Sequence, residues 1–280
     1  MFKNSLSILA QCRGEVFPTA DIVRDRENST EQFKGCMRRT LMERPILFVR
    51  WITMACFVFL RASLSAQELQ SDQPGFSEGA SPVPQGIIQL EAGVQRDRFE
   101  GDSTNADLPI ALLRIGILKG VELRLDGDRT LNAQQLEEYS WSVGTKIGLI
   151  NNDEINLAVL GEYQFDDQGA SGGRFAVLAV RDLTPNFELT MNAGALLEPG
   201  SDVPEFTITT SGQQQLSDAF SIFGEGHWRQ PVENRGNITL DGGFLWLIIP
   251  NIQIDIAGGR ELLEANWFLT AGITLRSKFW

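Results

Sequence analysis

The chain has 280 residues, 42% of them hydrophobic, with 27 glycines and a formal net charge of −12. That size suits one large domain or two small ones, and the acidic balance argues against nucleic acid as a partner. Beyond residue 66 no apolar run is long enough for a membrane-spanning helix.

Residues 1–66 differ from the rest. They hold ten Lys and Arg and six Asp and Glu, leaving fourteen and thirty for the remainder, so +4 stands against −16. All three cysteines (Cys12, Cys36, Cys56) lie here. A thiol-free body suits export through an oxidising compartment. Arg38, Arg39 and Arg44 precede the apolar run Trp51 to Leu60, and small residues follow at 62–66. A charged, an apolar and a small-residue zone in that order predict a signal peptide over 37–66, cleaved after Ala66. Residues 1–36 then look like an over-extended start, with translation beginning at Met37 or Met42.

Residues 67–85 are rich in Pro, Ser, Gly and acids and predict an extended segment at the periplasmic rim, able to fold into a lumen. From residue 86 to 280 alternating segments recur. The first, Ile87 to Gln95, sets Ile88, Leu90, Ala92 and Val94 against Gln89 and Glu91. The next two form the hairpin Ile110 to Asp126. Leu113, Ile115 and Ile117 alternate with Arg114 and Gly116; Val121, Leu123 and Leu125 alternate with Glu122, Arg124 and Asp126. Strand side chains alternate with period two, so each strand has a greasy face and a charged one. A three-residue turn, Leu118-Lys119-Gly120, opposes Ile117 to Val121 and keeps the two apolar rows together, with Gly at the left-handed position.

Nine further segments follow: 139–150, 154–165, 174–181, 187–197, 205–214, 219–228, 237–247, 252–259 and 266–279. The one at 174–181 is apolar on both faces. The total is twelve. Short turns at 118–120, 151–153, 183–186, 216–218 and 247–251 alternate with longer stretches at 96–105, 127–138, 166–173, 198–204, 229–236 and 260–265. An even strand number, alternating loop lengths and aromatics towards strand ends (Tyr139, Trp141, Tyr163, Phe165, Phe187, Trp228, Trp246, Trp267) predict an all-β fold: a closed antiparallel transmembrane β-barrel. An open sheet edge in hydrocarbon would strand unpaired backbone groups, so the first strand must pair with the twelfth. Implied partners are outer-membrane lipid, a small-molecule solute and the insertion machinery, which reads a terminal aromatic such as Phe279 or Trp280.

By phase, Glu91, Arg114, Glu122, Arg124, Asp126, Lys146, Glu162, Glu188, Glu225, His227, Asp241, Asp255 and Arg276 face inward. Arg114 opposite Arg124, with Glu122 and Asp126 diagonal to each, predicts a salt-bridged lattice. These charges either satisfy one another or set a selectivity field for a solute; acids outnumber bases, which disfavours small anions. No metal or cofactor is expected. A barrel lipid hydrolase would need His227, which points inward beside Glu225; a structural or adhesive barrel is the other alternative to a channel.

Asp72-Gln73-Pro74-Gly75-Phe76-Ser77-Glu78-Gly79, Val83-Pro84-Gln85-Gly86 and Gln89-Leu90-Glu91-Ala92-Gly93 resemble the opening of the outer-membrane proteins named after the meta-pathway of phenol degradation. Leu113-Arg114-Ile115-Gly116, Val121-Glu122-Leu123-Arg124 and Gln253-Ile254-Asp255 with Gly258 extend the resemblance over roughly residues 70–280. Gln73 departs from it, since the family has Arg there. The resemblance implies an outer-membrane transporter barrel for small solutes, hydrophobic or aromatic compounds among them.

Overall fold

A computed structural model describes residues 69–99, 104–131, 137–232, 235–264 and 266–279; the leader, with the signal peptide expected over 37–66, lies outside them. Twelve strands follow in chain order: β1 (Ile87–Arg98), β2 (Thr104–Leu118), β3 (Val121–Leu131), β4 (Glu137–Asn151), β5 (Asn156–Asp166), β6 (Ser171–Thr184), β7 (Phe187–Leu197), β8 (Glu205–Gln215), β9 (Phe220–Pro231), β10 (Asn237–Ile249), β11 (Ile252–Glu261) and β12 (Trp267–Lys278). Each pairs antiparallel with its chain neighbours, and β1 closes on β12 from Ile87 opposite Lys278 to Arg98 opposite Trp267. The barrel therefore has no free edge.

The alternation read from the sequence sorts the two faces. Val143, Val177, Ile208, Leu240, Ile256 and Leu269 are exposed, whereas Gln89, Glu91, Arg114, Glu122, Lys146 and Thr274 are almost fully buried. A barrel greasy outside and charged within is built for lipid. Aromatics collect at both ends of the apolar band. Tyr139, Trp141 and Phe165 stack in sequence near the long-loop rim, with centroids 5.9 and 5.8 Å apart, and Phe220 stacks on Trp246 at 5.7 Å near the short-turn rim. Replacing the outward Val177, midway along β6, by arginine should cost about 2–4 kcal/mol by placing a charge in hydrocarbon; urea unfolding from lipid vesicles would measure it.

The β2–β3 register is the one expected, with Arg114 opposite Arg124 and Ile115 opposite Leu123. The turn differs in detail. Leu118, not Ile117, faces Val121, and a bulge between Gly116 and Leu118 absorbs the extra residue. Gly120 has φ +76°, which admits glycine without strain. The loop asymmetry is smaller than expected. Connections on the rim shared with residue 87 run two to four residues, and those on the other rim four to seven. The long stretch expected over 127–138 shrinks because Gly127–Leu131 pairs with Glu137–Trp141 and lengthens the wall.

Candidate functional site: a charged lumen threaded by the N-terminal segment

Residues 69–86 form no strand. Their unpaired backbone donors must therefore be satisfied elsewhere, and inward carboxylates do it. The Glu91 Oε2 accepts from the backbone N–H of Asp72 and Gln73 and from the Ser71 hydroxyl, at 2.9, 3.1 and 2.8 Å. Across the barrel, Glu225 takes the N–H groups of Phe76 and Ser77 at 2.6 and 2.7 Å. Asn192 on β7 brackets Glu78, accepting from its N–H at 2.8 Å and donating to its carbonyl at 3.0 Å. The Val83 N–H donates to Glu122 at 2.7 Å. The segment thus touches β1 and β3 on one side and β7 and β9 on the other, and so crosses the lumen.

Two of its acids meet the wall's cations. Asp72 Oδ2 lies 2.6 Å from Arg124 Nη1, 2.7 Å from Lys146 Nζ and 3.2 Å from Arg114 Nη1. Glu78 pairs with Arg174 and lies 3.2 Å from Arg124 Nη2. Wall carboxylates complete the lattice: Glu122 and Glu91 lie 2.8 and 2.9 Å from Arg114, and Glu162 lies 3.0 Å from Arg124. Burial alone would raise the Asp72 carboxyl, but the three cations outweigh it and hold it well below the usual carboxylate range.

Backbone fit follows from one glycine. Gly116 faces inward on β2, and a Cβ there would run into the carbonyls of Val83 and Pro84; its own carbonyl accepts from Gly86 N–H at 2.9 Å. Ala80 packs on an inward apolar patch of Ala158, Leu160, Ala176, Leu178 and Val180. That patch explains why β6 reads as apolar on both faces: its inner row meets the segment, not water.

Of the residues singled out in the sequence, Glu91, Arg114, Glu122, Arg124, Lys146 and Glu162 converge in this lattice, and Glu225 anchors the segment. Arg276 lies beside it, donating from Nε to Gln89 at 2.8 Å. Asp126 does not join; it accepts from the backbone N–H of Gly127 at 2.8 Å. Glu188 stands apart near the short-turn rim, beside a cavity of about 150 Å³ that Thr190, Ser211, Gln213, Ser221 and Gln253 also line. His227 contacts Thr209 Oγ1 through Nδ1 at 3.0 Å and stacks on Phe76 with centroids 4.5 Å apart. Asp241 and Asp255 form no ion pair among the described residues; Asp241 lies opposite Glu225 on the neighbouring strand, close enough for the two carboxyls to share a hydrogen bond, and Asp255 lies beside Gln253. Sequence phase missed Asp72 and Glu78, because the segment has no strand periodicity. It also missed Arg174, which sits in an otherwise apolar inner row.

A family model described as "Putative MetA-pathway of phenol degradation" matches residues 71–277, a span that begins beside Asp72 and ends with β12. The chain belongs to that family. Among solved structures, an outer-membrane channel from Pseudomonas putida F1 aligns at 11% identity over 73% of this chain and 99% of its own, with a TM-score of 0.55. A KdgM porin aligns at 9% identity over 66% and 98%, TM-score 0.52. The translocator domain of the autotransporter NalP from Neisseria meningitidis aligns at 13% identity over 69% and 89%, TM-score 0.50. At these identities the likeness concerns the barrel fold. No curated protein matches the sequence.

Proposed function

We propose that the protein is an outer-membrane channel for small solutes, hydrophobic or aromatic compounds among them, whose bore is narrowed by its own N-terminal segment, of which residues 69–85 are described. The observation that carries this reading is the segment's course through a closed barrel: it crosses the lumen from β1 and β3 to β7 and β9, and Gln70, Ser71 and Gln73 of the segment line one side of the cavity that Thr190, Ser211, Gln213 and Ser221 line on the other. Two of the fold neighbours, the P. putida protein and KdgM, are described as a channel and a porin. Export by the signal peptide at 37–66, insertion by machinery reading the terminal aromatics, and a set of inward charges that selects the solute belong to the same reading. His227 fits a packing role within it better than lipid hydrolysis, since its ring is stacked inside the barrel.

The inward charges also predict an ion preference. The lattice sets four cations, Arg114, Arg124, Lys146 and Arg174, against five acids, Asp72, Glu78, Glu91, Glu122 and Glu162, an excess of one acid. Glu225, Asp241 and Asp255 on β9–β11 face inward outside the lattice, and of the three Glu225 lines the cavity. A KCl gradient across a planar bilayer should give a reversal potential favouring K⁺ over Cl⁻ several-fold, and the double change Asp241→Asn with Asp255→Asn should reduce it. Absence of any protein-dependent conductance would defeat the channel reading.

A further inference from the structure

Three arginines stand on the lipid-facing side of the wall, all at its long-loop end. On β1 the outward row runs from Leu90 and Val94 to Arg96 and Arg98. On β11 it runs from Ile252, Ile254 and Ile256 to Arg260. Between them lies β12, whose Trp267 faces Arg98 on one side and Arg260 on the other, while Leu269 faces Arg96. The three arginines are exposed, and Trp267 and Leu269 are 40% and 52% exposed. Arg96 and Arg260 make no ion pair among the described residues. Their acidic neighbours in sequence, Asp97 and Glu261, are out of phase and point into the lumen, where Asp97 accepts from the Gln95 amide at 3.0 Å. At the short-turn end the same β1 and β11 rows finish in Ile88 and Ile252, without a charge.

An arginine at the edge of hydrocarbon needs a counter-charge. Trp267 marks the depth as headgroup level, where interfacial tryptophans sit. The counter-charge available at that depth is lipid phosphate, which the guanidinium fork binds bidentately. Adjacent strands are about 4.8 Å apart, so the backbones of Arg98 and Arg260 stand about 10 Å apart across β12. Two side chains of that length can close on one headgroup.

We propose that Arg96, Arg98 and Arg260 form, with Trp267 and Leu269, a docking site for lipopolysaccharide in the outer leaflet. The long loops of an outer-membrane barrel lie outside the cell. The leaflet there is built of a glycolipid that carries phosphates at the base of its sugars, just above the acyl chains. Those phosphates meet the arginines, and the acyl chains run down past Leu269 along the apolar rows. A phospholipid brings a single phosphate. Lipid A holds two on one sugar pair, so arginines on either side of β12 are engaged together. The site does not depend on whether the lumen conducts.

The probes are diphosphoryl lipid A, its fully dephosphorylated form and phosphatidylglycerol. Each is titrated into the folded full-length protein in detergent and read by native mass spectrometry. Lipid A should bind about tenfold or more tighter than either of the others, since charge-assisted contacts to two phosphates carry the affinity. Arg98→Gln combined with Arg260→Gln should weaken lipid A about a hundredfold, roughly tenfold for each arginine, and leave the dephosphorylated form unchanged. Arg181→Gln removes an exposed arginine opposite Leu189, near the other rim, and should change nothing. Equal binding of lipid A and its dephosphorylated form overturns the site. So does lipid A binding that is unchanged in the double variant, or weakened as much by Arg181→Gln. Phosphatidylglycerol binding as tightly as lipid A overturns the assignment to lipopolysaccharide. If the double variant does not fold, the wild-type ranking of the three lipids decides alone: lipid A foremost supports the site, and any other order overturns it.

Discussion

Replacing Asp72 by alanine should loosen the N-terminal segment and raise the unitary conductance. Asp72 accepts charge-assisted contacts from Arg114, Arg124 and Lys146, all buried. Breaking a buried pair by removing one partner costs about 3–5 kcal/mol, or roughly two to nearly four orders of magnitude in the equilibrium between bound and released segment. The remaining anchors at Glu91, Glu225 and Asn192 are hydrogen bonds to backbone, worth about 1.5–3 kcal/mol each where a charge takes part. The expected record is longer or larger open events, together with faster proteolysis of the segment. The pH dependence has a definite sign. Because the native Asp72 carboxyl titrates below its unfolded value, its contribution is fully present above the ordinary carboxylate range and is lost only as pH falls through the lowered native value. Acidification from pH 7 to about 5 should therefore not release the segment through Asp72.

Glu122→Ala should act on the barrel itself. Glu122 takes two hydrogen bonds from Arg114, at 2.8 and 2.9 Å, and one from Arg124 at 3.1 Å, and it also holds Val83 N–H. Its loss leaves two buried guanidinium groups short of a partner on the wall. The expected destabilisation is about 3–5 kcal/mol, seen as a lower midpoint of urea unfolding in lipid vesicles. Asp72→Ala should shift that midpoint far less, because the segment can leave and water can then reach the wall cations. A similar shift in both variants would mean that segment and wall unfold as one unit.

Much of the barrel was legible because lipid imposes a strict rule. Every outward residue of a strand must be apolar and every edge must close, so Ile115, Leu123 and Leu125 against Arg114, Arg124 and Asp126 announce face and register together. Strand ends were less legible: Gly127 to Leu131 has no apolar alternation, yet its backbone pairs with β4. The lattice was half visible. Arg114, Arg124 and Glu122 could be placed by period two, but Asp126, read as their partner, turns to its own chain at Gly127. Asp72, Glu78 and Phe76 were invisible as lumen residues, since an irregular segment carries no period to say where its side chains point. Two sequence signals did point to the segment's place: the Pro-rich stretch 67–85 at the rim, able to enter a lumen, and the doubly apolar strand around Leu178 and Val180, whose inner row packs with Ala80.

Residues 69–83 occupy space that solute would otherwise use. Deleting them from the full-length protein and recording single channels tests this most directly. Several-fold larger unitary conductance, with the preference for K⁺ retained because Glu225, Asp241 and Asp255 remain, is the predicted result. A deletion variant that folds and inserts yet conducts as the intact protein does would contradict it.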